Sequence, residues 1–203
     1  MSITLHLDDL PDDLDLGNMV AVDSETMGLK LRRDRLCMIQ LSSGDGSAHL
    51  VQFRSGSYAA PNLKRLLRDE QVTKIFHYAR FDLAAIRLYL EVDCAPVYCT
   101  KIASKLARTF TDRHGLKDLC SDLLGVSLSK QQQSSDWGAE ELTQEQLRYA
   151  ASDVLYLHAL RERLDAMLHR EGRTALSRAC FAFLPHRVSL DLLGWEEADV
   201  FAH

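Results

Sequence analysis

The spacing of apolar and polar positions changes character near the middle of the chain. In the first half, short apolar runs are separated by turn residues. Residues 3–7 alternate, 19–23 form a continuous apolar run that ends in an acid, and 36–41 and 49–53 are two further runs. These patterns predict strands. The last two flank Ser42-Ser-Gly-Asp-Gly46, which has hairpin chemistry. Pro61 opens a predicted helix over 62–69, with Leu63, Leu66 and Leu67 at helical spacing, and 74–77 reads as another short strand. From there the period is helical, over 81–90, 100–107 and 116–124, the last stopped by Gly125. Residues 126–138 carry no period and predict a polar loop. Thr143 and Gln146 have the spacing of a capping box, so the longest helix is expected to start there and run to about residue 169. Its inner face would hold Leu147, Ala150, Val154, Leu157, Leu160 and Leu164. A last helix over 174–183 is expected to end at Pro185, before a tail containing Trp195 and Phe201. Strands first, helices later and a strand–helix–strand passage between them predict an α/β or α+β domain on a mixed sheet.

Composition narrows this. The 203 residues are one domain's worth. No apolar run approaches the roughly 20 residues of a membrane span, and the N-terminus lacks a signal peptide's basic start. Five cysteines are odd in number and have no zinc-site spacing, so reduced thiols in a cytoplasmic protein are expected. The net charge of −5, from 24 basic and 29 acidic residues, argues against gripping long nucleic acid by counterion release. Its distribution changes that reading. Asp8, Asp9, Asp12, Asp13 and Asp15 lie in a first stretch with no Lys or Arg, whereas residues 27–135 carry 17 bases against 10 acids.

Three acidic motifs are candidates for chemistry. Asp23-Ser-Glu25 ends the apolar run, and residues two apart on a strand share a face. Two carboxylates side by side suit an intervening cation, although a strand running into a polar turn reads the same way. Asp82, in His77-Tyr-Ala-Arg-Phe-Asp82, falls in the first turn of a helix, as a ligand or as an acid favoured by the helix dipole. Tyr149 and Asp153 lie four apart among small apolar residues, on one helix face. That acid needs either a buried hydrogen bond from the tyrosine or a metal.

Taken in order, the three motifs resemble the DEDD exonuclease superfamily, and Tyr149 places the resemblance in its DEDDy branch. His114-Gly-Leu-Lys-Asp-Leu119, Leu124-Gly125, Ser134-Ser-Asp-Trp137 and 142–154 further resemble ribonuclease D, over about residues 18–165. The resemblance implies an α/β, ribonuclease H-like domain, a mixed sheet flanked by helices. One such domain is expected over 1–203, with a helical extension over 170–203 and without the HRDC module of ribonuclease D. The ending, from Phe181-Ala-Phe-Leu-Pro185 to His203, resembles the compact nano-RNase C (NrnC) type.

By that resemblance, Asp23, Glu25, Asp82 and Asp153 are metal ligands for two divalent ions, Mg2+ or Mn2+, and Tyr149 positions the attacking water. Met27, Gly28, Leu29, His77 and Arg80 would bind substrate, Leu29 as a wedge between bases. Arg113, His114, Lys130 and Gln133 are further candidates for phosphate contact. The arginines at 161, 163, 170, 173 and 178 read as an exposed face or a subunit interface. The implied function is 3′-5′ hydrolysis of short single-stranded RNA, with short DNA also admitted, and dinucleotides foremost. The implied state is a homo-oligomer such as a ring-shaped octamer, for which the acidic first strand, Leu190, Leu192, Trp195 and Phe201 are candidate contacts. Ribonuclease D-like trimming of stable RNA and an inactive nucleic-acid-binding homologue are the alternatives.

Overall fold

The computed structural model describes residues 2–54, 56–129 and 131–202. Six strands form one mixed sheet in the order β1-β4-β3-β2-β5-β6. They are β1 (Ser2–Leu7), β2 (Met19–Thr26), β3 (Leu36–Ser42), β4 (Ser47–Gln52), β5 (Thr73–Phe76) and β6 (Val97–Cys99). The β3–β4 hairpin turns at the predicted place. β2 is antiparallel to β3 and parallel to β5. β3 is buried along its whole length, as a central strand covered on both faces must be. The helices are α1 (Pro61–Arg68), α2 (Ala79–Ala85), α3 (Thr100–Ala107), α4 (Leu116–Leu119), α5 (Gln144–Leu155), α6 (Leu157–Arg170) and α7 (Thr174–Leu190). α2, α4 and α7 each run on into a wider π-type turn, over Ile86–Leu90, Cys120–Leu124 and Asp191–Trp195.

Two helix boundaries differ from expectation. The long helix does form its capping box, Thr143 with Gln146, but it breaks at Tyr156 into α5 and α6. The apolar positions explain the break. Val154, Leu157 and Leu160 are spaced three and three, which drifts from the 3.6-residue period, and re-phasing at Tyr156 keeps all three buried. Pro185 does not end the last helix. α7 continues past it because Phe181, Leu184 and Val188 stay on one buried stripe, so tertiary packing offsets the one hydrogen bond a proline removes. The three-residue strand β6 was not expected from the sequence and carries too few positions to show a period.

One feature of the sheet positions the site. β5 pairs with β2 only along Met19–Ala21, and the chain then leaves the sheet at Tyr78, whose backbone is left-handed (φ 67°). β2 runs on to Thr26, with a register irregularity at Glu25/Thr26. Its second half is therefore paired on the β3 side alone, and a crevice opens beyond the carboxyl end of β5, where ligands bind in such sheets. All five cysteines are free thiols, four of them buried. Among the described residues, no helix is long and apolar enough to cross a membrane.

Candidate functional site

The crevice is a cleft of about 630 Å3 whose floor carries all four predicted acids and Tyr149. Asp23 and Glu25 come from the overhanging end of β2, Asp153 from α5, which lies across β2, β3 and β4, and Asp82 from the first turn of α2. The strand therefore extends three residues beyond the predicted end, and both β2 acids lie within it. Carboxylate oxygens of Asp23, Glu25 and Asp153 all come within 4.8 Å of one another. Asp82 is held separately. Its Oδ1 accepts a 2.6 Å hydrogen bond from the Ser24 hydroxyl. The Ser24 backbone N–H, on the side of β2 that has no strand partner, also goes to Asp82.

This grouping is electrostatically unfavourable without a cation. Burial, then Asp82, Asp153 and Glu25 around it, push Asp23 well above the usual carboxylate range. Burial, then Asp153 and Asp82, raise Glu25 to about 9. Burial raises Asp82 to about 7 against the opposing Ser24 hydrogen bond. Burial likewise raises Asp153 to about 7 against the hydrogen bond from Tyr149. An oxygen-only donor set with excess negative charge fits a hard divalent cation such as Mg2+ or Mn2+. The Tyr149 hydroxyl has its own pKa pushed up, by burial and then by the surrounding acids, so it remains a neutral hydroxyl. Its ring lies 6.0 Å from that of Trp137. Gln146, besides capping α5, donates to the Asp136 carbonyl at 3.1 Å and so ties the loop carrying Trp137 to the helix carrying Asp153.

Of the predicted substrate contacts, Met27, Gly28, Leu29 and His77 line the cleft. Met27 and Leu29 are exposed, Leu29 at 85%, which is unusual for apolar side chains beside a polar floor. A side chain at Gly28 would displace Asp34, since a Cβ there would meet the Asp34 carboxylate at 2.5 Å. His77 Nδ1 lies 2.9 Å from the Thr100 hydroxyl, which itself donates to the Phe76 carbonyl. The hydroxyl's one proton is thus committed, so Nδ1 carries the imidazole proton and Nε2 is left as an acceptor. Burial and then Lys101 lower the His77 pKa to about 3, so the ring is neutral at working pH.

Other predicted contacts are placed elsewhere. Arg80 does not line the cleft; the Nε–Nη2 edge of its guanidinium is taken by Asp191, at 2.6 and 2.7 Å. A bidentate pair of this kind leaves little for a phosphate. Arg113 pairs with Asp118 and Asp122, and His114 bonds to Ser104. Gln133 lines the cleft, and Lys130 lies outside the described residues. Of the late arginines read as an exposed face, Arg161 stacks over the Tyr98 ring and Arg173 donates to the Leu106 carbonyl. Sequence reasoning missed Lys101, Lys117, Tyr78 and Ser24, all of which line the cleft. Lys101 sits 4.2 Å over the Tyr78 ring. It also missed Gln40, which faces Asp23 across the β2–β3 ladder and is fully buried. The lysines are isolated charges on otherwise ordinary helices and carry no signal of their own; Ser24 stood inside the first motif but between the residues that drew attention.

Comparison with known proteins follows this geometry. A 3′-5′ exonuclease family profile matches residues 5–169. Ribonuclease D of Acidiphilium cryptum is 37% identical over 154 residues, 76% of this chain and 39% of that protein. The chain thus spans about two fifths of the length of that curated relative. Among solved structures, Brucella melitensis NrnC bound to pGG has a TM-score of 0.97 at 57% identity, covering 100% of this chain and 99% of that one. Brucella melitensis NrnC with bound Mg2+ has a TM-score of 0.96 at 56% identity, covering 100% of each.

Proposed function

This chain belongs to the 3′-5′ exonuclease family, with its ribonuclease H-like α/β fold, and from that premise we propose that it hydrolyses short oligonucleotides, dinucleotides foremost, to nucleoside 5′-monophosphates. The observation that carries the reading is the four-acid floor beneath a cleft of about 630 Å3. That volume is in the range of small-molecule sites, roughly 300–1,000 Å3. The similarity to NrnC, solved with pGG, along the whole chain supports the short substrate.

Asp23, Glu25 and Asp153 would ligate divalent metal, with Asp82 supporting it from the Ser24 side. When bound, such ions supply Lewis-acid stabilisation of the phosphate and a more acidic water. The remaining work falls to this chain's residues. Tyr149, neutral and hydrogen-bonded to Asp153, orients the attacking water but does not take its proton. Water adds to phosphorus and gives up a proton to solvent, the bond from phosphorus to the 3′ oxygen of the preceding nucleotide breaks, and that oxygen takes a proton from solvent and leaves as a hydroxyl. His77 Nε2 accepts a hydrogen bond from a sugar hydroxyl of the terminal nucleotide. Gly28 lets backbone approach that nucleotide, and Leu29 packs between bases. Lys101, Lys117 and Gln133 face the phosphates. A homo-oligomer, of which a ring-shaped octamer is one form, belongs to the same reading. The exposed apolar side chains of Leu193, Trp195 and Phe201 support it, and light scattering measures it.

The deciding assay compares hydrolysis of a dinucleotide and a 20-mer at equal concentration with Mg2+ present. Faster turnover of the dinucleotide is expected. A clear preference for the 20-mer would favour ribonuclease D-like trimming of stable RNA instead.

A further inference from the structure

The turn that follows α7 lines none of the cleft, yet it is bonded to both of its walls. Its hub is Asp191, whose side chain is 10% exposed. Asp191 receives Arg80 through two nitrogens and Arg187 at 2.9 Å. The same two arginines reach forward to the backbone beyond it. Arg80 donates to the Glu196 carbonyl at 2.5 Å, and Arg187 donates to the carbonyls of Trp195 at 2.7 Å and Ala198 at 3.1 Å. The next residue, Leu192, offers its carbonyl to Arg32 at 2.6 Å. Arg80 stands in the first turn of α2, between Tyr78 and Asp82. Arg32 stands in the loop over 27–35, three residues after Leu29. One turn of chain therefore joins the wall that carries the exposed leucine to the wall that carries Tyr78 and His77.

The loop needs such an anchor. Its own bonds are local, from Lys30 N–H to Asp34 and between Arg33 and Asp34. It is tied to the rest of the molecule by the Thr26 hydroxyl on the Gly28 carbonyl, by Leu31, which packs on the core and takes the Tyr89 hydroxyl on its carbonyl, by Arg35 on the Phe53 and Gly138 carbonyls, and by Arg32. Arg32 is the one of these that reaches the turn after α7. Leu29, at 85% exposure, has almost no packing to hold it. A substrate of two nucleotides makes few contacts, so its affinity depends on walls already set at the right separation. A longer chain recovers the loss through contacts farther along.

We propose that residues 191–196 act as a strut that sets the width of the cleft, and that Arg32 and Asp191 are positioning residues that determine specificity for the shortest substrates without touching them. This rests on the exonuclease reading, in which Leu29 and Tyr78 face substrate.

The test uses the full-length Arg32→Ala, Arg32→Lys and Asp191→Asn proteins. Steady-state kinetics on a dinucleotide and a 20-mer are read beside hydrogen exchange of the substrate-free protein. For Arg32→Ala and Asp191→Asn, KM for the dinucleotide should rise about tenfold, the loss of one charge-assisted hydrogen bond. Within the same experiment kcat should stay within about twofold and KM for the 20-mer should rise about threefold or less. Exchange should accelerate over 27–35 in both variants, and over 78–82 as well in Asp191→Asn. Arg32→Lys keeps a donor for the Leu192 carbonyl and should recover most of the KM. Arg32 is exposed, so its alanine variant keeps the question open to measurement even where Asp191→Asn fails to fold. Unchanged exchange over 27–35 in Arg32→Ala, or equal KM changes for both substrate lengths, would overturn the strut. An inactive wild-type protein would overturn the exonuclease reading instead, and the exchange measurement would then decide the strut alone.

Discussion

The floor and the rim of the cleft are built on opposite terms. The floor is made of side chains fixed by regular structure: Asp23 and Glu25 by a strand with a buried neighbour, Asp153 by a helix packed across three strands, Asp82 by Ser24. The acids are held together against their own repulsion. The rim is a loop with an exposed leucine and a left-handed tyrosine under a lysine, and its own Arg32 and Arg80 tie it to the turn after α7. The lesson is a division of labour. On the proposed reading, charge that would meet a reacting phosphate sits on regular structure, and contacts that would choose the substrate sit on a loop and a helix start.

Substitutions can break that division in order of size. Asp23→Ala removes the acid at the centre of the floor, and turnover should fall on the order of a thousandfold or more. Chelation with EDTA should do the same, with Mg2+ or Mn2+ restoring activity; a nuclease indifferent to chelator would sink the metal assignment. Ser24→Ala frees Asp82 from its hydrogen bond. Loss of such a partner behind a metal ligand typically costs about 10–100-fold in metal affinity or activity, and calorimetric titration of Mn2+ would read it without any substrate. Ser24→Thr keeps the hydroxyl and should stay near wild type. On the rim, Leu29→Ala should raise KM for a dinucleotide roughly tenfold and leave kcat nearly unchanged, since one apolar side chain loses about 1.5–3 kcal/mol of burial. A drop in kcat alone would move Leu29 from the rim to the floor.

The smallest effect is on stability. The floor's acids have raised pKa values, about 9 for Glu25 and about 7 for Asp82 and Asp153. From their ordinary values near 4 up to about 9, the folded metal-free protein therefore binds more protons than the unfolded chain, and stability falls as pH rises. His77, with its lowered pKa, works in the other direction only below about pH 6.5. Between pH 6.5 and 8.5 the metal-free melting temperature should thus drop. Added Mg2+ or Mn2+ should close the gap, and calorimetry that finds a rise over this interval would contradict the unfavourable floor.

The same contrast governs what the sequence reveals. Periods brought most of the floor into view, as acids two apart on an apolar strand and a tyrosine and an acid four apart on a helix that begins with a capping box, but each motif also had a purely structural reading, and the resemblance made them, with Asp82, candidate ligands. Met27, Gly28 and Leu29 were legible only through resemblance, since an exposed leucine in a turn has no periodic signal. Arg80 misled for a physical reason. A basic residue two positions from a catalytic acid suits a phosphate, and its actual partner, Asp191, lies in the last turn of the chain. Such long-range pairs leave no local trace. The break at Tyr156 was readable in the three-and-three spacing, whereas the passage through Pro185 was decided by packing that no local rule reports.

The acids of the floor also have a history within a single molecule. They come from a strand near the beginning of the chain, a helix near its middle and a helix in its last third. Contacts this distant in sequence carry a large loop-closure cost. While the chain is being synthesised, Asp23 and Glu25 can sit on their strand with no third carboxylate to meet, and a lone pair of acids makes a poor cation trap. Asp153 is the third carboxylate of that group and it arrives on α5. A chain cut anywhere before α5 therefore lacks the group altogether, however much of the sheet it still forms.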